Sequence, residues 1–168
     1  LTYSLAGGAD VARFSIDANT GALSFVSAPD YEAPTDANTD NVYDLIVQVS
    51  DGSLTASQTL AIHVTPVNDN PPTITSPATA NVAENTTAVL TVTATDADVP
   101  AENLTYSLSG TDAALFQIDA NTGVLSFKTA PDFEAPADAD GNNVYDLSVQ
   151  VSDGTFSHTQ ALAVTVTP

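Results

Sequence analysis

Four short stretches gather oxygen donors at close spacing: Asp30-Tyr31-Glu32, Asn68-Asp69-Asn70, Asp96-Ala97-Asp98 and Asp153-Gly154. Carboxylates, side-chain amides and backbone carbonyls are the ligands of a hard divalent cation, and Ca²⁺ accepts about six to eight of them in irregular geometry. Zinc or copper would call for imidazole or thiolate. The chain has no cysteine, and its two histidines, His63 and His158, stand far apart in sequence. Catalysis finds no comparable footing. Ser157 and His158 are neighbours on one predicted strand, so their side chains point to opposite faces and form no triad. Paired acids can hydrolyse a glycoside only in a cleft with a raised pKa. Here the acids recur in both halves of the chain, which favours ligation, and we expect no enzyme.

The charge balance points the same way. Against 21 acids stand two bases, Arg13 and Lys128, for a formal net charge of −19. Nucleic acid and anionic membranes are excluded as partners, because both need clustered Lys and Arg. Carboxylates held about 5 Å apart repel by about 3 kcal/mol per pair at an effective dielectric of ~20, so any fold that gathers several of them needs a cation. With 43 % hydrophobic residues the chain can still bury a core. No apolar run is long enough to span a bilayer. The lack of cysteine removes disulfides as a source of stiffness.

The elements that must position these acids come as a repeat. Leu1-Thr2-Tyr3-Ser4-Leu5 returns at Leu104 to Leu108, Ile16 to Gly21 at Ile118 to Gly123, and Val47 to Gly52 at Val149 to Gly154. The spacing is 103 residues at Leu1 and Leu104 and 102 at Ile16 and Ile118, the size of a whole domain. Within each repeat, apolar residues alternate, as in Tyr145, Leu147, Val149 and Val151, the signature of half-buried strands. Turn signals such as Asn19-Thr20-Gly21 and Asn121-Thr122-Gly123 separate them. We therefore expect an all-β chain of tandem seven-strand Greek-key, immunoglobulin-like β-sandwiches. The expected domains are 1–66, lacking its first two strands, and 67–168, complete, with a linker over 67–72. Pro71 and Pro72 stiffen that linker into extended form. Ile74 to Ala83, and then Ala88, Leu90, Val92 and Ala94, supply two strands with no counterpart before Leu1. We expect the chain to be a piece of a longer repeat protein, or a neighbouring chain to supply the missing strands.

Strand directions alternate in such a sandwich, so loops fall at two poles. Asp96, Asp98 and Asp153 then share one pole of the second domain, Asp30 and Glu32 lie at a pole of the first, and Asp69 runs between. Six carboxylates from four segments would be balanced by about three divalent ions, and all-oxygen ligation suits Ca²⁺.

The order Asp-x-Glu, Asn-Asp-Asn-x-Pro, Asp-x-Asp and Asp153-Gly154 resembles the calcium motifs of cadherin repeats. Glu84 in Val82-Ala83-Glu84-Asn85, Phe116-x-Ile118-Asp119, Thr122-Gly123 and Asp132-Phe133-Glu134 resemble the same framework. The likeness implies an extracellular, cell-surface or secreted rod of repeats whose linkers are stiffened by about three Ca²⁺. It implies that Asp30, Glu32, Asp69, Asp96, Asp98 and Asp153 are carboxylate ligands. It further implies that Asn68 ligates through its side chain and Val67, Asn70 and Asn103 through backbone carbonyls. The implied partners are neighbouring repeats and a homophilic or cell-surface ligand. Glu84, Asp132 and Glu134 would belong to a following junction and Asp51 to a preceding one. The loops at residues 36–40 and 138–142 also have oxygens at alternate positions. They are similar to those of bacterial giant surface proteins, and a solvated polar turn explains them. A module that binds glycan or another surface protein is the alternative, disfavoured because the aromatics fall at core-like positions. The histidines are expected to be exposed. Asn85 and Asn103 stand in glycosylation triplets.

Overall fold

Alternation of buried and exposed residues makes β13 (Val144–Ser152) and β14 (Ser157–Thr167) the longest antiparallel pair of residues Asn68–Pro168, joined by a tight turn at Asp153-Gly154. Tyr145, Leu147, Val149 and Val151 face inward from β13, and Leu162, Val164 and Val166 from β14. The computed structural model describes residues 1–168, which divide into two units, Leu1–Val67 and Asn68–Pro168.

In the second unit, β7 (Thr79–Ala83) runs parallel to β14, and β10 (Thr105–Ser109) lies antiparallel to β13, giving a sheet in the order β10-β13-β14-β7. A second sheet holds β11 (Phe116–Ile118), β12 (Val124–Phe127) and β8 (Ala88–Thr91). A two-stranded ladder pairs β6 (Thr73–Ile74) with β9 (Ala94–Thr95). The core between the sheets packs Phe116, Leu125 and Phe127 from one against Tyr145, Leu147 and Val164 from the other. Phe116 and Phe127 lie 4.1 Å apart at their centroids, and Tyr145 meets Phe127 edge-on at 5.1 Å. Gly123, with φ of 71°, closes the β11–β12 turn where a Cβ would strike the Val92 carbonyl.

The two strands expected before Leu104 are in fact four short segments. β6 and β9 form one ladder while β7 joins the other sheet, so the chain changes sheets between Ile74 and Thr79. Pro77 lies in that crossing and has no N–H to donate to a ladder. His158 corrects a second expectation. Its side chain is half-buried, and its Nδ1 accepts the Ile74 N–H at 3.1 Å, tying β6 to β14. His63 is exposed.

The first unit repeats the later part of this plan. β1 (Thr2–Gly7), β4 (Val42–Ser50) and β5 (Thr55–His63) form one sheet in the order β1-β4-β5, and β2 (Phe14–Ile16) pairs with β3 (Leu23–Phe25). Phe14, Phe25 and Tyr43 reproduce the aromatic cluster, with centroids 4.4 Å and 5.1 Å apart. Its fully buried apolar residues are Phe14, Tyr43 and Leu45.

Several acids are structural. Asp10 is buried and accepts the Ala37 and Asp44 N–H groups at 2.6 and 2.8 Å. Asp112 does the same for Ala139 and Asp146 at 2.9 and 2.7 Å. Asp36 and Asp138 close the loops 36–40 and 138–142 by accepting the N–H groups of Asp40 and Asn41, and of Asn142 and Asn143. Each is buried, so these loops are organised around an interior carboxylate and are more than solvated turns.

Candidate metal centre

The loops at one end of β14 bring together Asp96, Asp98 and Asp153, each offering a carboxylate oxygen within 4.8 Å of the others. Local backbone geometry fixes each acid by part of its carboxylate. Asp153 follows β13, and its Oδ1 accepts the N–H groups of Thr155 and Phe156 at 2.6 Å each, which orients the side chain. Asp96 Oδ1 accepts the Asp98 N–H at 3.1 Å. Asp98 is 4 % exposed; it accepts the Asn70 side-chain amide at 2.8 Å and the Asn70 N–H at 3.3 Å. Asn70 also donates to Asp69 Oδ1 at 2.9 Å.

The remaining oxygens have no partner. Asp96 Oδ2, Asp153 Oδ2 and Asn68 Oδ1 are buried and accept no hydrogen bond. Buried acceptors left unpaired are costly and uncommon in native structures. A hard cation is the natural partner of such a set, since it would satisfy these oxygens and offset the repulsion between the acids. The residues present therefore fit Ca²⁺.

Glu102, in the loop between β9 and β10, adds a further carboxylate. Its Oε2 accepts a hydrogen bond from Asn68 Nδ2. Burial pushes its carboxyl above the ordinary value, and the charges of Asp153, Asp98 and Asp96 push the same way, while the Asn68 amide opposes them. Asp153 goes down despite its burial, because the N–H groups of Phe156 and Thr155 and the Asn68 amide outweigh desolvation. The motif reading did not include Glu102. The available signal was an acid in the same loop as Asp98, one residue before Asn103.

Asn68, Asp69 and Asn70 precede β6. Asn103 is exposed just before β10, and Val67 is 59 % exposed at the end of the first unit. In that first unit Asp30 Oδ1 accepts the Glu32 and Ala33 N–H groups at 3.0 and 3.1 Å, and Glu32 is half-buried. The same turn recurs at Asp132, which accepts from Glu134 and Ala135 at 3.0 and 3.2 Å. There Glu84, Asp132 and Glu134 form a second cluster within 4.8 Å. Glu84 Oε2 accepts the Phe133 N–H at 3.1 Å, and the Glu84 N–H bonds Thr167 O at the far end of β14.

A sandwich of this topology with acids at its loops has close relatives. The family model described as "Cadherin domain" matches residues 78–167, more than half of the chain. The chain belongs to the cadherin family. Among curated proteins, this cadherin chain is similar to human Protocadherin Fat 1, at 33 % identity over 162 residues, 91 % of the chain and 3 % of that protein. It is also similar to human Protocadherin-16, at 34 % identity over 167 residues, 92 % of the chain and 5 % of that protein. The chain thus spans only a few hundredths of the length of these relatives. Among solved structures, mouse Cadherin-23 EC22-24 matches with a TM-score of 0.71 and 27 % identity, covering 99 % of this chain and 52 % of that one. Drosophila N-cadherin EC1-4 matches with a TM-score of 0.74 and 25 % identity, covering 99 % of this chain and 40 % of that one. Cadherin repeats are typically extracellular, adhesive, calcium-binding and non-enzymatic. No helix of this cadherin is long and apolar enough to cross a membrane.

Proposed function

We propose that this chain is a calcium-dependent structural and adhesive segment of a cell-surface or secreted protein, in which Ca²⁺ at residues 67–72 stiffens a rod of tandem sandwiches. In this reading 1–66 and 67–168 are the two domains, and about three ions are held by the proposed set. Asp30, Glu32, Asp69, Asp96, Asp98 and Asp153 supply carboxylates, Asn68 a side-chain oxygen, and Val67, Asn70 and Asn103 backbone carbonyls. The observation that supports it best is the set of buried, unpartnered oxygens on Asp96, Asp153 and Asn68, beside a buried Asp98. Neighbouring repeats and a homophilic or cell-surface ligand are the proposed partners. The loops at residues 36–40 and 138–142 support placing the segment in a giant bacterial surface protein.

Calorimetric titration with CaCl₂ tests the reading. We expect dissociation constants of about 10⁻⁴ to 10⁻³ M, as extracellular calcium modules show. Asp153→Asn keeps an oxygen for its turn and is expected to weaken binding roughly tenfold, since one of few charged ligands is lost. Asp51→Asn changes the same kind of turn in the first unit, where Asp51 accepts the Ser53 and Leu54 N–H groups, and is expected to leave binding unchanged. A chain that takes up no Ca²⁺ at about 10 mM, well above that range, does not work this way.

A further inference from the structure

The proposed site contains one acid for which the motif pattern has no place. At this loop the expected donor was a backbone carbonyl from Asn103, yet the preceding residue, Glu102, turns a half-buried carboxylate toward Asn68. An isolated carboxylate has little reason to take that position. Asp96, Asp98 and Asp153 already raise its energy there by repulsion. No basic side chain relieves it, since the one Lys or Arg of the second unit, Lys128, donates its ammonium to Ala114 O at 2.8 Å. The Asn68 amide is a neutral donor and balances no charge. A cation would.

The contact also fixes the orientation of Asn68. A carboxylate only accepts, so the edge of Asn68 that meets Glu102 must be its NH₂, and the buried, unpartnered atom is the carbonyl oxygen, the one able to ligate a metal. We propose that Glu102 is a fourth carboxylate ligand of the cation held by Asp96, Asp98 and Asp153, and that it fixes Asn68 with its oxygen free for the same ion. This inference rests on the calcium reading of the site. Its consequence is a centre with four negative charges, stronger than the three-acid set, because ligand charge is one of the terms that tune calcium affinity.

The experiment combines two measurements on the 168-residue chain. Calorimetry compares wild type, Glu102→Gln and Asp153→Asn in CaCl₂, with circular dichroism to verify the fold. Carbon-13 NMR follows the Glu102 side-chain carboxyl of the wild type through the same titration. We expect Glu102→Gln to bind roughly tenfold more weakly, about 1.4 kcal/mol, and the carboxyl resonance to move as the site fills. Unchanged or tighter binding in Glu102→Gln, with Asp153→Asn still weakened, overturns the role of Glu102 and leaves the calcium reading intact. Weaker binding with a stationary carboxyl resonance also overturns it, because Glu102 would then act only through Asn68. A wild-type chain that binds no Ca²⁺ overturns the calcium reading itself, and this inference with it.

Discussion

Asp119 and Asp17 show how one carboxylate can organise a turn without any metal. Each opens an Asp-Ala-Asn-Thr-Gly sequence, and Asp119 Oδ1 accepts the N–H groups of Thr122 and Asn121 at 2.9 and 3.0 Å. The Thr122 and Asn121 N–H groups, with the Thr122 hydroxyl, hold the Asp119 carboxyl below its ordinary value. Asp17 is lowered by the equivalent Thr20 and Asn19 groups. A carboxyl depressed by folding contributes stability that is present above its unfolded pKa and is lost as pH falls through the folded one. Thermal unfolding measured between roughly pH 5 and pH 2 is therefore expected to show a falling melting temperature, with Asp119→Asn reducing the slope. An Asn can still accept the turn's N–H groups, so the neutral-pH structure should survive. If Asp119→Asn leaves the slope unchanged, the turn is not a source of the acid sensitivity. The same contrast separates the acids generally. Asp10, Asp112, Asp36 and Asp138 are satisfied by backbone amides, whereas Asp96 and Asp153 each keep one buried oxygen without a partner.

Two strands at equivalent positions of the repeat lie in different surroundings. β14 is flanked by β13 on one side and β7 on the other, while β5, its repeat, is paired with β4 alone. Accordingly Leu162 is 3 % exposed, and Leu60 at the equivalent position is only half-buried. Removing a fully buried leucine side chain costs about 2–5 kcal/mol, and less where a partly open site leaves no enclosed cavity. Leu162→Ala is expected to fall in that range and Leu60→Ala below it. Native-state amide exchange checks this, with β13 reporting on the first substitution and β4 on the second. Equal losses would mean that the open edge of β5 does not lessen its burial in solution. The strands themselves were legible from period-two runs such as Tyr43 to Val49, because an inward residue at every second position is required of a sheet packed on one face. Where the chain breaks was not. Ile74 to Ala83 reads as one strand, but it is divided between two sheets by a crossing at Pro77, and periodicity does not encode which neighbour a strand finds. His158 was misread for the same reason, since its partner, the Ile74 N–H, comes from 84 residues away. In the candidate site, acids in regular motifs were legible from spacing. Glu102 lies in an irregular loop, where spacing does not tell whether a side chain turns in or out.

At the scale of the molecule the dominant quantity is the net charge of −19 on 168 residues. Self-repulsion of that size opposes any arrangement that concentrates acids, and added salt screens it only beyond about 8–10 Å at physiological ionic strength. Directly bound divalent ions act at shorter range than screening does. The proposed mechanism therefore separates two effects that monovalent salt alone would merge. Raising NaCl with a chelator present should weaken general repulsion without supplying a divalent cation to the unpartnered oxygens of Asp96, Asp153 and Asn68. Millimolar Ca²⁺ should do both. We expect small-angle scattering of the 168-residue chain to give a broad distribution of interdomain distances in chelator, little changed by NaCl, and a narrower one with Ca²⁺. Asp69→Ala, in the proposed linker, should keep the calcium-loaded distribution broad, while Asp51→Ala should narrow like wild type. The thermal counterpart follows by mass action. At about 2 mM Ca²⁺ and a dissociation constant of ~10⁻⁴ M, binding to the folded state adds about 1.8 kcal/mol, which raises the melting temperature of a domain of this size by roughly 10 °C. If NaCl narrows the distribution as much as Ca²⁺ does, the acids are merely screened and the linker contains no ion-dependent joint.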